Sequence, residues 1–219
     1  MRPTLKHLAL VVLMAGSASA LQAQRRDRGL VELPPQPVRS GLYFTGSLGA
    51  GVEQCKFESA PCAILDADGN PLPSDGTWRQ SITSPSFQLR LGGTPSRNFR
   101  LGGELLGWSA DNGPTTERTV GLLLSGQFYP SPRDGFYLKG GLGLGWNSDD
   151  FHDGSPRVTE TGFLGNVGAG YDFPLTPHVA ISPVIDFYPG SYPHAGDETL
   201  SERILFIGLS ITFQSGRRF

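Results

Sequence analysis

The feature that most constrains this chain is an alternation of apolar and small or polar residues from about Gly41 to the C-terminus. In one run, Leu138, Leu142 and Leu144 alternate with lysine and glycine. A period of two is that of a β-strand with two unlike faces. Eight such runs follow one another, with these first apolar residues: Leu42, Phe87, Phe99, Val120, Phe136, Phe163, Val179 and Leu205. The pattern predicts eight consecutive strands, and the 30 glycines disfavour a helical bundle.

The composition of the two faces indicates which one meets water. One face carries Leu, Ile, Val and Phe, and the other carries mostly Gly, Ser, Thr and Tyr with scattered charges. A water-facing surface is expected to be about 25–35% charged, whereas the second face carries only scattered charges. Small residues suit the narrow inside of an eight-stranded barrel. We therefore predict a barrel whose apolar face meets lipid; the alternative is a secreted soluble barrel, such as a lipocalin, with that face inside.

Strand and connector lengths favour the membrane barrel. Runs of about ten residues, tilted by about 40°, rise roughly 25 Å, the height of the apolar band of such a barrel. Longer connectors are predicted at 53–83, 109–117, 147–160 and 189–201, and shorter ones at 94–97, 130–134 and 174–178. Short periplasmic turns and longer extracellular loops are typical of outer-membrane barrels. Aromatic residues near the run ends predict two interfacial girdles: Phe128, Tyr129, Phe136, Tyr137, Tyr171, Phe173, Trp108, Trp146, Phe187 and Tyr188.

The N-terminal segment has the pattern of a secretory signal. Arg2 and Lys6 precede the short apolar run 8–14, and small residues offer cleavage after Ala20 or Ala23. The predicted organisation is a signal peptide at 1–23, an extended periplasmic tail at 24–39 and the barrel at 40–219. Removing residues 1–23 leaves 16 basic and 20 acidic residues, a formal charge of −4. This balance argues against a nucleic-acid partner.

Two glycine-rich strand segments, 137–146 and 165–173, and the segment 181–188 that follows them carry a resemblance to a known family. Residues 40–219 resemble the small eight-stranded outer-membrane β-barrel proteins of the OmpA/OmpX type. The resemblance implies an all-β, antiparallel, up-and-down transmembrane barrel in the outer membrane. It also implies contact with the barrel-assembly machinery through a signal in the last strand, comprising Gly208, Ile211, Phe213 and the C-terminal Phe219.

Charged residues on the small-residue face are candidates for a lumen network. There are three cations and three acids: Arg90, Arg100, Lys139, Glu104, Asp172 and Asp186. Charges inside a narrow lumen should pair, because unpaired ones lose hydration without compensation. We expect a salt-bridge network that plugs the barrel; the alternative is a gate whose pairs exchange to pass small solutes.

The predicted loops hold the remaining candidates. Cys55 and Cys62 predict a disulfide, since export leads to an oxidising compartment. The segment 66–70 resembles half of a calcium loop, but an ordinary polar turn is the preferred interpretation because no downstream acid completes it. No metal or other cofactor is expected.

Catalysis would need a nucleophile, a base and an orienting acid near one membrane surface. His152 with Ser155, and His194 with Asp197 and Glu198, are the loop candidates, and neither set has the spacing of a hydrolase motif. Pro183 falls in the middle of the seventh run and predicts a local bulge or bend.

The functional hypothesis is a monomeric, non-enzymatic outer-membrane barrel with a structural or surface-binding role through its extracellular loops. Its expected partners are outer-membrane lipid and lipopolysaccharide, besides the assembly machinery. The alternatives are a porin-like channel for small solutes and a lipid-modifying enzyme.

Overall fold

A closed antiparallel β-barrel accounts for the described part of the chain. The computed structural model describes residues 39–57, 78, 81–113, 115–193 and 198–216. The strands are β1 (Gly41–Lys56), β2 (Ile82–Ser96), β3 (Phe99–Asp111), β4 (Thr115–Phe128), β5 (Phe136–Phe151), β6 (Val158–Tyr171), β7 (Phe173–Pro174), β8 (Val179–Pro193) and β9 (Thr199–Gln214). Consecutive strands pair, and β1 pairs with β9, so the sheet closes. β6 and the two-residue β7 pair with β8 one after the other, so together they form one strand of the barrel wall. The barrel therefore has eight strands, which confirms the predicted fold class.

The outside of the barrel is its apolar face. Leu142 and Phe163 are each 77% exposed, whereas Glu104 on the opposite face is 0% exposed. Large apolar side chains surround the whole exterior. A water-soluble protein has the reverse arrangement, with its large apolar side chains in the core. The alternative arrangement, with the apolar face turned inward around a ligand, is therefore wrong. Among the described residues, no helix is long and apolar enough to cross a membrane.

The two ends of the barrel differ in their connections. One end, which we call the turn end, holds the connectors 97–98, 129–135 and 175–178 and both termini of the sheet, Gly41 and Gln214. The opposite end, the loop end, holds the connectors 57–81, 112–114, 152–157 and 194–198.

The strands are longer than the sequence indicated, and the loops are correspondingly shorter. Strands contain up to 16 residues, which at the usual rise and tilt span roughly 40 Å, well beyond a 25 Å apolar band. The extra residues lie mainly at the loop end, so the expected long connectors 147–160 and 189–201 are mostly strand. Apolar periodicity ends where the outer face becomes polar, but backbone pairing continues past that point.

Prolines in β8 interrupt the ladder to β6 without shifting its register. Pairing stops between Gly170–Val184 and Phe173–Ile181, a gap that contains Pro183, and stops again opposite Pro189. Both prolines still align with β9. The expected irregularity at Pro183 is thus a missing pair on one side, because proline has no N–H to donate. A shift in register occurs elsewhere, between β2 and β3.

Candidate functional site in the lumen

A buried ion group lies at the centre of the lumen. Lys139 on β5 places its Nζ 2.9 Å from Oε1 of Glu104 on β3 and 2.7 Å from Oδ2 of Asp186 on β8. The Tyr188 hydroxyl donates to Glu104 and accepts from Lys139 Nζ at 3.2 Å, and Gln88 Nε2 donates to Asp186 at 2.8 Å. One ammonium therefore joins two carboxylates from strands that do not neighbour its own.

Arg90 completes the charge balance of this central ion group without a direct ion pair. It is 2% exposed and stands opposite Glu104 in the β2–β3 ladder. Among the described residues no carboxylate oxygen lies within 4.0 Å of its guanidinium, and its Nε and Nη1 have no hydrogen-bond partner. With Lys139, it gives the group two cations against two acids.

A second buried group closes the turn end. Asp172, between β6 and β7, accepts at Oδ2 from Arg100 at 3.3 Å and from the Tyr129 hydroxyl at 2.9 Å. Its Oδ1 accepts from Ser182 at 2.7 Å, which bridges the gap in the ladder at Pro183. Arg100 also donates to Gln214 on β9 at 2.9 Å. The six predicted lumen charges thus form two separate groups rather than one network.

Arg39 belongs to this turn-end group although it precedes β1. Its guanidinium carbon lies 3.6 Å from the centre of the Tyr129 ring, and its Nε lies 3.6 Å from Asp172. It also donates to the carbonyls of Pro132 and Asp134. Arg39 is 7% exposed, so the last residue of the predicted tail is buried in the mouth of the barrel.

An apolar layer fills the lumen on the loop-end side of the central ion group. Reading β3 from the turn end, the inward residues include Arg100, Glu104, Leu106 and Trp108 in that order, so charges give way to apolar side chains. We call this layer the apolar plug; its members are Leu106, Trp108, Leu123, Leu164, Ile204 and Phe206, each at most 2% exposed. Trp108 is anchored by a 3.0 Å hydrogen bond from its Nε1 to the carbonyl of Gly51.

Inward glycines make room for these large side chains. A Cβ on Gly168 would lie 1.9 Å from an Asp186 carboxylate oxygen, and one on Gly51 would lie 2.5 Å from the Trp108 ring. Small residues therefore line the lumen because neighbouring strands send large ones across it. At the turn end, a cavity of about 20 Å³ beside Arg100 and Asp172 could hold about one water molecule.

Several aromatic residues of the predicted girdles point into the lumen instead. Trp108, Tyr129, Tyr137 and Tyr188 are at most 2% exposed, and their polar atoms are used inside the barrel. Phe128, Phe136, Phe173 and Phe187 do lie on the outer surface. Tyrosines close to charged lumen residues satisfy buried hydrogen bonds, which phenylalanine cannot do.

The loop candidates divide between described and undescribed residues. Both ring nitrogens of His152 are engaged, Nε2 with Thr116 at 3.0 Å and Nδ1 with the carbonyl of Gly113 at 2.6 Å. His152 therefore joins two hairpins and has no ring nitrogen left to activate Ser155. The Ser155 N–H donates to Asp153, which lowers the pKa of that carboxyl, as in an ordinary turn.

Other predicted residues lie partly outside the described part of the chain. Cys55 is buried at the loop end of β1, and Cys62 lies outside the described residues, so the disulfide stays a prediction. The segment 66–70, His194, Asp197 and Phe219 also lie outside them. Gly208, Ile211 and Phe213 are in β9, and their role as an assembly signal stays a prediction.

Structural comparison identifies the architecture, while sequence comparison finds no relative. No family model matches the chain, and no curated protein matches its sequence. Neisserial surface protein A matches over 80% of this chain and 98% of its own, with a TM-score of 0.53 and 13% identity. Ail, the attachment invasion locus protein of Yersinia pestis, matches over 78% of this chain and 99% of its own, with a TM-score of 0.48 and 11% identity. The fold is that of the small eight-stranded outer-membrane β-barrels.

Proposed function

We propose that this protein is an outer-membrane barrel with a filled, non-conducting lumen, and that its role is exercised at the loop end, as a structural component or a binding surface. The apolar plug is the observation that carries the proposal. Buried ion pairs alone could exchange partners and admit solutes, but a layer of packed Leu, Ile, Phe and Trp side chains offers an ion no ligands. The barrel then serves as a rigid support for what it displays.

The membrane location is supported by the exterior. An apolar surface that surrounds the whole barrel requires a non-aqueous solvent, and a closed barrel satisfies its backbone hydrogen bonds within the sheet. By the usual asymmetry, the turn end is periplasmic and the loop end extracellular. The connector 57–81 is the longest of those at the loop end, and it is the main candidate for a binding surface.

Fractionation combined with surface proteolysis tests location and orientation together. We expect the protein in the outer-membrane fraction, with intact cells cleaved within 57–81 and spared at the turn-end segment 129–135. Recovery as a soluble, monodisperse protein without detergent would refute the membrane location.

Planar-bilayer recording tests the filled lumen, with a conducting porin reconstituted in parallel. We expect no current steps from the folded protein. Stable steps would support the alternative, a small-solute channel.

Export and the disulfide are part of the same proposal. The mature chain should begin at Leu21 or Gln24, which intact-mass measurement would show. Cys55 and Cys62 should be bridged after export to an oxidising compartment. Two reactive thiols in the unreduced, unfolded protein would contradict the bridge.

The proposed role is non-enzymatic, and the engagement of both His152 nitrogens supports this. Incubation of folded protein with phospholipid and lipid A should leave both unchanged; acyl transfer or hydrolysis would favour the enzyme alternative instead.

A further inference from the structure

We propose that the outer face of the loop end binds the phosphate group of an anionic lipid, through Lys56, Arg203 and Trp78. We call these three residues the rim site. The inference rests on the proposed membrane location and adds to it a specific lipid contact.

The rim site lies where the outer face changes from apolar to cationic. Val52 on β1 is the partner of Leu205 on β9, and both are the last apolar outward residues of their strands. At the next outward position Gln54 is the partner of Arg203, and Lys56 follows on β1. Residues directly beyond the apolar band of a membrane barrel lie at the level of the lipid headgroups.

One aromatic ring lies beside both cations. The Arg203 guanidinium carbon is 4.0 Å, and the Lys56 Nζ 5.0 Å, from the centre of the Trp78 ring. Arg203 also donates from Nε and Nη2 to Oε1 of Gln54, at 2.9 and 2.7 Å. Because Gln54 is neutral, it orients the guanidinium without cancelling its charge. The two cations are thereby held in place before any ligand arrives, which reduces the entropy cost of binding.

Among the described residues, no salt bridge pairs the two cations of the rim site with a carboxylate. In the segments that the structure describes, neither Lys56 nor Arg203 forms a salt bridge within 4.0 Å. The acids next to them in sequence, Glu53 and Glu202, point into the barrel and are 1% and 2% exposed. Strand alternation thus separates the charges, with acids in the lumen and cations on the outer face. Two oriented cations beside one aromatic ring suit a phosphate, whose oxygens accept charge-assisted hydrogen bonds from both.

A lipid phosphate fits this position better than free phosphate. A lipid held at the rim site can pack its acyl chains against Val52 and Leu205 while its phosphate contacts the cations. Free phosphate would gain only the electrostatic attraction, in competition with water. Partly buried cations beside an apolar wall therefore favour an amphiphile.

The test compares variants in phosphatidylcholine vesicles containing lipid A or chemically dephosphorylated lipid A. The readout is the amount of lipid A needed to raise the unfolding midpoint, followed by heat-modifiable gel mobility. We expect the double variant Lys56→Gln/Arg203→Gln to need roughly 30-fold more lipid A for the same rise in the unfolding midpoint. This corresponds to about fivefold for each cation removed. Dephosphorylated lipid A should stabilise the wild type no better than it stabilises the variant.

The matched control is Arg118→Gln. Towards the loop end, Arg118 is the next outward residue after Val120 on β4, just as Arg203 is the next after Leu205 on β9. Its neighbour Glu117 also points inward. Arg118 has no aromatic ring over its guanidinium among the described residues, so we expect less than a twofold loss for Arg118→Gln, against about fivefold for Arg203→Gln alone. An equal loss in Arg118→Gln and Arg203→Gln would mean general attraction to a charged surface and would overturn the rim site.

Further arms cover misfolding and the source of the phosphate. Trp78→Leu keeps both charges and alters no strand, so an intermediate loss is expected; an unchanged response would contradict the role of the ring. Stabilisation of the micelle-bound protein by inorganic phosphate alone would reject a lipid ligand. Failure of the wild type to float with vesicles would refute the membrane location, whereas insertion without any phosphate dependence would refute the rim site alone.

Discussion

Two adjacent layers of the lumen are filled by opposite means. Towards the turn end, Arg39 and Arg100 share Asp172, and Lys139 joins Glu104 and Asp186. Next to these groups, on the loop-end side, the apolar plug fills a layer of the lumen with uncharged side chains, and the acids Glu53 and Glu202 are buried beyond it. The first arrangement depends on every partner being present, because a buried charge left alone is costly. The second depends on filled volume, so truncating one of its side chains lowers the stability in proportion to the cavity that is left.

This difference also means that the ion pairs contribute mainly to stability, whereas the apolar plug is what closes the lumen. Removing one ion-pair partner should destabilise the barrel strongly, yet the plug would still block the lumen. Removing plug atoms should cost less but leave a gap on the path of a solute. The following variants test this comparison, starting with the largest expected effect.

Lys139→Met should destabilise the barrel most, by about 3–5 kcal/mol. The substitution leaves Glu104 and Asp186 buried without their shared cation. Urea titration of the vesicle-inserted protein measures the loss, with exposed Arg97→Gln as the control. Equal stability of the two variants would show that the central ion group contributes nothing.

Leu164→Ala should cost about 3 kcal/mol, within the range for buried leucines. Leu164 is 1% exposed inside the plug, whereas Leu142 on the neighbouring strand is 77% exposed on the outside. Leu142→Ala should cost clearly less, because lipid can fill the space that it leaves. The reverse order, measured by the same titration, would mean that the faces of the barrel are assigned the wrong way round.

Arg39→Ala should cost about 1–2 kcal/mol, from the lost contact with the Tyr129 ring and the lost hydrogen bonds. The loss is smaller than at Lys139 because Asp172 keeps Arg100 as a partner. Thermal unfolding by gel mobility measures it, and Arg39→Lys, which keeps the charge, should recover part of the stability. An Arg39→Ala midpoint equal to that of the wild type would remove Arg39 from the turn-end group.

Glu104→Ala should have no measurable effect on conductance although it lowers stability. The plug lies beyond Glu104 on the same strand, at Leu106 and Trp108, and still excludes ions. Planar-bilayer recording of the folded variant checks this. Current through Glu104→Ala alone would show that the ion group, rather than the plug, closes the lumen.

The sequence predicts the number of strands, which side chains face the lipid or the lumen, and the charged lumen residues, because each of these depends on local alternation. The plug was missed because its residues interrupt that alternation. Leu105–Leu106, Leu122–Leu124, Phe163–Leu164 and Ile204–Ile207 are apolar on both faces in succession, and these runs were the available signal. Where the alternation gives way to a continuous apolar stretch, successive side chains face the lipid and the apolar plug in turn.

The grouping of the charges and the burial of Arg39 could not be predicted in this way. Lys139, Glu104 and Asp186 come from strands that are not neighbours, so their meeting depends on closure and stagger of the barrel. Arg39 lies outside any alternating run, and its partners come from the β4–β5 connector and from the junction of β6 and β7. Sequence periodicity reports what a residue faces, but not which distant residue it meets.

Two of the three prolines of β8, Pro183 and Pro189, weaken the contact between β8 and β6. A closed sheet has no fraying edge, so a thermal fluctuation must begin where interstrand bonding is thinnest. Opposite Pro183 and Pro189 the rungs to β6 are absent, while the neighbouring ladder to β9 is continuous. We therefore expect the contact between β8 and the line of β6 and β7 to be among the first to open on unfolding.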